Sequence, residues 1–164
     1  MSSYWVNDAD QIIPRLWLGN FNSSQDIEFI KNNRITVIIN CTKDLPFLSV
    51  NGVYKYRVPV DDNLQREEII AMTQWIRKIL PIIDEHNRGG RSILIHCAAG
   101  MQRSAIVVLS YLYKYTVFHN NSHDPKAILI KLRSKRPIVF TPYMNFGDSF
   151  RMYFGADAYR RLVE

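Results

Sequence analysis

The segment SILIHCAAGMQRS, residues 92–104, contains the pattern that decides the fold of this chain. Its first five residues are mostly apolar and include β-branched side chains, which is typical of a buried strand. From Arg103 onward the sequence RSAIVVLSYLYKY is an apolar run long enough to form a buried helix. The small residues between the two runs therefore predict a tight loop that ends at the N-terminus of this helix.

The predicted loop has the properties of an anion-binding site with a nucleophile at its base. A loop that leads into a helix N-terminus points several backbone N–H groups inward. Cys97 begins this loop, and both the helix dipole and Arg103 favour its thiolate form. Such surroundings lower the pKa of a cysteine from about 8.5 to a value between about 3.5 and 7.5. The combination suits attack of a thiolate on a phosphoryl group.

The same residues resemble the signature of a known enzyme superfamily. His96-Cys97, five further residues and Arg103-Ser104 are similar to the HCx5R(S/T) loop of the cysteine-dependent phosphatases. The compact length of the chain is most similar to the dual-specificity branch. An inert buried cysteine in an ordinary strand–helix turn is the alternative, but it explains neither Gly100 nor Arg103. Residues 97–103 are called the phosphate loop below.

The resemblance implies a role for each position of the phosphate loop. Cys97 is expected to be the nucleophile that forms a phosphocysteine, and Arg103 is expected to bind two phosphoryl oxygens. Ser104 is expected to help the thiolate leave in the second step, although it could also cap the helix. His96 is expected to orient the loop rather than act as a base. Backbone N–H groups are expected to bind the phosphate at Ala98, Ala99, Gly100, Met101, Gln102 and Arg103.

The general acid for the leaving group is expected upstream of the phosphate loop. In the family it follows a strand that ends in a Pro-Val-type pair, and Pro59-Val60-Asp61-Asp62 matches that pattern. Asp62 is the expected acid and Asp61 is the alternative. Either residue could instead cap the helix that follows.

Two further positions are assigned by the resemblance at the end of the predicted strand of residues 35–40. Asn40 stands where the family often has an asparagine that supports the phosphate loop, and a polar residue that simply ends a strand is an equal alternative. Cys41 stands near a cysteine that forms a disulfide with the catalytic one in some relatives. A reversible Cys41–Cys97 disulfide is therefore a hypothesis, against the simpler interpretation of a small buried residue.

The order of the predicted elements indicates an α/β fold. Strands are expected near residues 16, 36, 56 and 94, alternating with helices near residues 28, 75, 110, 130 and 148. This alternation favours a central, mostly parallel, twisted sheet of about four to five strands flanked by helices. The resemblance implies the same protein tyrosine phosphatase-like fold. A single domain over residues 1–164 is expected, because no linker or repeat interrupts the chain.

Several boundaries are predicted from local signals. The third strand is expected to continue to Val60, and Pro81 is expected to kink or interrupt the long helix of residues 67–87. A polar loop is expected at residues 118–123, and the last helix is expected over residues 143–153 after Pro142.

Composition limits the class of protein and its partners. The 164 residues are 47% hydrophobic and carry a net charge of +6, so a globular chain with anionic partners is expected. Two cysteines do not form a disulfide framework, and their spacing to the four histidines does not suit zinc, so no metal or cofactor is expected. No apolar run is long enough to span a membrane, and an intracellular location is expected. No feature specifies an oligomeric state.

The substrate is expected to be a phosphoprotein. Phosphoinositide enzymes of the superfamily commonly carry lysines in this loop, whereas the loop residues here are uncharged. Strict phosphotyrosine enzymes have an added tyrosine-bearing loop, and no such segment is found in this sequence. The resemblance therefore implies a shallow pocket that accepts phosphotyrosine, phosphoserine and phosphothreonine. An RNA 5′-triphosphatase of the same fold and a phosphate-binding scaffold are the alternatives. A basic run of Lys131, Arg133, Lys135 and Arg136 is a candidate docking face, and Tyr143 departs from the asparagine that the family usually has after this proline.

Overall fold

Five strands form one sheet in the computed structural model, which describes residues 6–115 and 124–164. The strands are arranged in the order β1-β2-β5-β3-β4, and only the first of them is antiparallel to its neighbour. They are β1 (Ala9–Ile13), β2 (Leu16–Gly19), β3 (Ile35–Asn40), β4 (Tyr54–Arg57) and β5 (Ser92–His96). The predicted α/β fold with a mostly parallel sheet is therefore confirmed.

Helices surround this sheet. They are α1 (Phe21–Gln25), α2 (Ile27–Asn32), α3 (Arg66–Arg88), α4 (Arg103–Tyr115), α5 (Pro125–Lys135), α6 (Gly147–Phe154) and α7 (Ala156–Val163). Among the described ranges, none of these helices is both long enough and apolar enough to cross a bilayer.

The central strand β5 is buried on both sides, which explains its continuous apolar run. Ile93 and Ile95 belong to the large core that also contains the apolar faces of α3 and α4. Leu94 points to the opposite side and packs in a smaller cluster with Ile38 of β3 and Ile30 of α2. A strand covered on both faces cannot alternate apolar and polar residues, because neither side of it meets water.

The parallel strands bring the candidate site residues to one edge of the sheet. His96, the last residue of β5, is paired with Gly19 of β2 and with Asn40 of β3. The residues that follow these strands therefore meet at the carboxyl edge, where ligand sites of open α/β sheets lie. Cys41 continues this contact, since its N–H donates to the carbonyl of His96 at 2.8 Å.

The strand expected to reach Val60 ends earlier, at Arg57. Val58 still donates its N–H to the carbonyl of Asn40 at 2.9 Å, but Pro59 has no N–H to continue the ladder. The N–H of Val60 turns back to the carbonyl of Val58 at 3.0 Å. The chain therefore leaves the sheet before it reaches Asp61.

Pro81 does not interrupt α3, which runs through it as one helix of 23 residues. A proline removes the hydrogen bond to the carbonyl four residues earlier, here that of Arg77. Both Arg77 and Pro81 are exposed, so water can satisfy that carbonyl. The buried face of α3, which includes Met72, Ile76 and Ile83, lies elsewhere on the helix and is unaffected.

The C-terminal region contains two helices where one was expected. The helix predicted over residues 143–153 begins only at Gly147, and α7 follows after Gly155, whose φ of +102° breaks the helical path. Residues 141–146 form a loop instead, because contacts from the phosphate loop hold their backbone, as described below. The polar loop predicted at residues 118–123 lies outside the described residues.

Candidate active site

The sulfur of Cys97 is buried at the base of the phosphate loop, between β5 and α4. Ser104 Oγ lies 3.0 Å from Cys97 Sγ, and the N–H of Gly100 donates to the sulfur at 3.3 Å. Gly100 has a φ of +68°, and a Cβ built there would lie 2.5 Å from the carbonyl oxygen of Gly19. Only glycine fits this position, because the loop curls tightly over the sulfur.

These contacts decide the charge of the thiol. Burial raises the pKa of Cys97, but several opposing effects outweigh it. Hydrogen bonds from the side chain and backbone of Ser104, the charge of Arg103 and the N–H of Gly100 all lower it, and the net pKa is below the ordinary value. Cys97 is therefore a buried sulfur whose surroundings favour the nucleophilic thiolate.

His96 is fully buried behind the loop and holds its first peptide. Its Nδ1 lies 3.2 Å from the carbonyl oxygen of Cys97, and because a carbonyl only accepts, Nδ1 carries the proton. Burial lowers the pKa of His96 to about 4, helped by the charges of Arg57 and Arg103. A neutral imidazole bonded to the backbone suits a residue that orients the loop.

Arg103 is only partly paired. Its Nη1 donates to the carbonyl of Val60 at 2.9 Å, which connects the phosphate loop to the segment before Asp61. Its Nε is buried and has no hydrogen-bond partner among residues 6–115 and 124–164. A buried guanidinium N–H without a partner is costly, and an anion in the loop would satisfy it.

The two candidate acids point to different places. Asp61 forms an ion pair with Lys43 at 3.2 Å, and its N–H donates to Glu68 at 2.8 Å. Asp62 instead lines the cavity above Cys97. Its Oδ1 accepts a hydrogen bond from Nδ2 of Asn145 at 3.0 Å. The structure thus brings Asp62, and not Asp61, to the cavity.

This cavity has a volume of ≈ 370 Å³ and opens at the carboxyl edge of the sheet. It is lined by the candidate nucleophile, acid and arginine together with uncharged residues. The lining residues are Asp62, Cys97, Ala98, Ala99, Met101, Gln102, Arg103, Thr141, Pro142 and Asn145. Tyr143 is 76% exposed and is not among them, although it follows Pro142 directly.

Sequence reasoning missed Asn145 and the side-chain role of Gln102. Gln102 Nε2 donates to the carbonyl of Tyr143 at 2.7 Å, and its Oε1 accepts the N–H of Asn145 at 3.0 Å. These bonds keep residues 141–145 out of a helix and direct Asn145 toward Asp62. The available signal was the asparagine that the family usually has directly after the proline equivalent to Pro142. In this chain Tyr143 occupies that position, and an asparagine follows two positions later, at Asn145.

Asn40 and Cys41 lie behind the loop. The side chain of Asn40 accepts a hydrogen bond from the Thr42 hydroxyl at 2.6 Å and donates to the carbonyl of Leu45 at 2.8 Å, so it organises the segment that follows β3. Cys41 and Cys97 are both free thiols in the same core cluster. Burial raises the pKa of Cys41 well above the ordinary value, and the charge of Cys97 adds to this. The supporting role of Asn40 and the Cys41–Cys97 disulfide stay predictions.

The predicted basic docking face is wrong in one of its members. Arg136 is fully buried and forms an ion pair with Asp10 at 2.8 Å. Arg133 donates to the carbonyls of Val139 and Phe140, each at 3.0 Å. Two of the four cations in this run are therefore bound by other parts of the protein itself. Within the described ranges, no three His, Cys, Asp or Glu side chains come close enough together to bind a metal ion.

The sequence of this chain is similar to those of several known proteins. The sequence profile described as "Dual specificity phosphatase, catalytic domain" matches residues 16–154. Dual specificity protein phosphatase 2 of Mus musculus is 32% identical over 103 residues, which are 62% of this chain and 31% of that protein. Dual specificity protein phosphatase 9 of Homo sapiens is 32% identical over 139 residues, 83% of this chain and 33% of that protein. The match spans about a third of the length of these relatives.

The fold has close structural counterparts. The crystal structure of human DUSP28 superposes with a TM-score of 0.74 and 22% sequence identity, covering 93% of this chain and 96% of that chain. The crystal structure of DUSP15 superposes with a TM-score of 0.76 and 24% identity, covering 94% of both chains.

Proposed function

Because this chain belongs to the dual-specificity phosphatase family, we propose that it hydrolyses phosphotyrosine and phosphoserine or phosphothreonine in proteins through a phosphocysteine intermediate. One observation carries this proposal. Cys97 Sγ lies 3.0 Å from the Ser104 hydroxyl and 3.3 Å from the N–H of Gly100, at the base of a cavity that Asp62 and Arg103 also line. This arrangement contains a nucleophile, an acid and an anion-binding loop.

In the first step, the thiolate of Cys97 attacks phosphorus while the bond to the leaving oxygen breaks. Arg103 and the loop N–H groups bind the equatorial phosphoryl oxygens, where charge is spread in the transition state. The protonated carboxyl of Asp62 gives its proton to the leaving oxygen, because an alkoxide or phenoxide is otherwise a poor leaving group. The products are a free hydroxyl on the substrate, a phosphocysteine and an Asp62 carboxylate.

In the second step, the Asp62 carboxylate takes a proton from a water molecule that attacks phosphorus. The sulfur–phosphorus bond breaks, inorganic phosphate leaves, and the thiolate of Cys97 returns. The Ser104 hydroxyl stabilises the departing sulfur, since its hydrogen bond strengthens as negative charge develops there. The hydrogen bond from Asn145 holds the side chain of Asp62 over the cavity in both steps, as the acid in the first and as the carboxylate in the second.

The composition of the cavity supports protein phosphates as the substrate class. Ala98 and Ala99 are exposed, so the bound phosphate lies near the surface, where the short side chains of phosphoserine and phosphothreonine can reach it. Met101 and Gln102 add no positive charge to the lining, so there is no loop lysine to bind the additional phosphates of a phosphoinositide. An intracellular location follows from the chemistry, because the attacking thiolate must stay reduced.

The test is phosphate release in the presence of a chelator from phosphotyrosine peptides, phosphothreonine peptides and 5′-triphosphate RNA. Cys97→Ser is the control for the nucleophile, and Cys41→Ser is the matched control for loss of a buried thiol. We expect release from both peptides that is abolished by Cys97→Ser and retained by Cys41→Ser. Preference for RNA would instead assign the chain to nucleic-acid chemistry. Tight binding of phosphopeptides without any release would indicate a phosphate-binding scaffold.

A further inference from the structure

Arg136 is a buried arginine that lies directly after α5. Its side chain is 1% exposed, and its ion-pair partner Asp10 is 15% exposed. Burying a guanidinium is costly unless its donors are paired, so a buried arginine needs an explanation. The ion pair with Asp10 balances the charge of Arg136, but it uses only one end of the guanidinium.

The remaining donors of Arg136 bind the phosphate loop from behind. Nε donates to the carbonyl of Gly100 at 2.9 Å, and Nη2 donates to the carbonyl of Ala99 at 3.2 Å. Nη1 additionally donates to the carbonyl of Asn7 at 2.8 Å. One side chain therefore connects the N-terminal segment, β1 and two successive peptide units of the loop.

The geometry of the peptide bond gives these contacts a consequence for the sulfur. In a trans peptide unit the C=O and the following N–H point in opposite directions. When the carbonyls of Ala99 and Gly100 point to Arg136, the N–H groups of Gly100 and Met101 must point away from it. The N–H of Gly100 does so, since it donates to Cys97 Sγ at 3.3 Å.

The glycine at position 100 fits the same arrangement. A Cβ at this position would lie 2.8 Å from Nη2 of Arg136, in addition to its clash with the carbonyl of Gly19. The loop is thus enclosed between β2 and the guanidinium. A side chain at position 100 would displace Arg136 or rotate the peptide that it holds.

We propose that Arg136 is a positioning residue for the phosphate loop: it fixes the peptide units of Ala99–Gly100 and Gly100–Met101 so that their N–H groups face Cys97 and the bound phosphoryl group. Arg136 does not touch the substrate and acts through the loop. Its importance for turnover rests on the proposed function. Its effect on the reactivity of Cys97 and on anion binding does not.

Arg136→Lys is the deciding variant, because lysine keeps the charge and can still pair with Asp10. A lysine lacks the planar fork and cannot hold both carbonyls at once. If Arg136 only neutralised Asp10, the lysine variant would behave as the wild type. If it positions the loop, Arg136→Lys weakens the N–H hydrogen bond to the sulfur, and the thiolate forms at higher pH.

The experiment measures the rate at which iodoacetamide alkylates Cys97 as a function of pH, with peptide mass spectrometry to separate Cys97 from Cys41. We expect the midpoint of the pH–rate profile for alkylation of Cys97 to rise by about one pH unit in Arg136→Lys. Below the midpoint, alkylation should therefore be roughly tenfold slower than in the wild type. Protection of Cys97 by inorganic phosphate should also need a severalfold higher concentration. Arg133→Lys is the matched control. Arg133 lies in the last turn of α5 and, like Arg136, donates to two backbone carbonyls, but these belong to Val139 and Phe140 and not to the phosphate loop.

A folded Arg136→Lys protein with the wild-type midpoint and the wild-type phosphate protection would overturn the proposal. If Arg136→Lys does not fold, the double variant Asp10→Asn with Arg136→Gln decides, because it removes both charges together, and it should show the same upward shift. Neither readout requires turnover. A shifted midpoint in a protein that releases no phosphate would uphold the role of Arg136 while refuting the proposed hydrolysis.

Discussion

Replacing Ser104 by alanine removes one hydroxyl from beside the nucleophile. The two chemical steps, formation and breakdown of the phosphocysteine, can then be distinguished by their rates. Ser104 is fully buried, its Oγ lies 3.0 Å from Cys97 Sγ, and its hydrogen bond lowers the pKa of that thiol. A hydrogen bond to a charged group contributes about 1.5–3 kcal/mol, or about one to two pKa units. Because the backbone N–H groups of Gly100 and Ser104 remain, we expect the lower end of this range.

The sign of the pH effect follows from the direction of the shift. The thiolate is the reactive form, so kcat/KM rises with pH through the pKa of Cys97. Ser104→Ala raises that pKa, and the rising limb of the profile should move to higher pH by about one unit. Departure of the sulfur in the second step also loses its hydrogen bond, so breakdown of the phosphocysteine should slow by about tenfold or more.

The assay is rapid-mixing kinetics with an aryl phosphate whose alcohol product is coloured. A slower second step makes the phosphocysteine accumulate, so Ser104→Ala should release a burst of alcohol close to one equivalent of enzyme before the slow steady state. Ser110→Ala is the matched control: Ser110 is also buried on α4, and its hydroxyl has no hydrogen-bond partner among the described residues. No burst and an unshifted pH profile for Ser104→Ala would refute the reasoning.

Three further predictions concern the acid, the loop and the second cysteine. Asp62→Asn should reduce kcat with poor leaving groups by about 100-fold or more and with good leaving groups much less, whereas Asp61→Asn should change either rate only a few-fold; equal losses in both variants would contradict the assignment. Gly100→Ala should abolish phosphate binding in calorimetry and lower Tm by about 2 to 10 °C, because the alanine must accept a positive φ and meets Gly19; wild-type binding would disprove the steric argument. Mild peroxide should give a Cys41–Cys97 disulfide in mass spectrometry, and overoxidised Cys97 without any crosslink would exclude it.

The elements predicted correctly are those whose pattern is local. The unit of β5, the phosphate loop and α4 depends on a buried strand and a buried helix that are adjacent in sequence, and both buried faces are apolar. β1 was not predicted, because its residues include Asp10 and Gln11 and it forms by backbone pairing with β2 rather than by its own apolar pattern. Pairing with β2 makes residues 9–13 a strand, and this pairing leaves no pattern in their own sequence.

In the candidate site, too, the contacts that could be predicted are those between residues close in sequence. Cys97 and Arg103 are separated by a loop of fixed length, so their meeting could be predicted from spacing. Asn145 contacts Asp62 across 83 positions of sequence, and Arg136 contacts Gly100 across 36 positions. Such contacts depend on how α5 and the loop of residues 141–146 pack against the sheet, which no local pattern determines. Arg136 in particular looked like a surface cation, because it ends a basic run, and the lysines of that run, Lys131 and Lys135, are indeed exposed.

The central claim is that the phosphoryl group passes through the sulfur of Cys97. The most direct test is to mix Ser104→Ala with a phosphate-labelled phosphotyrosine peptide, quench with acid within the burst phase, and locate the label by peptide mass spectrometry. The account predicts one phosphoryl group on the peptide that contains Cys97, absent when Cys97→Ser is added to the same variant. Label on any other residue, or continued turnover without a labelled enzyme, would contradict it.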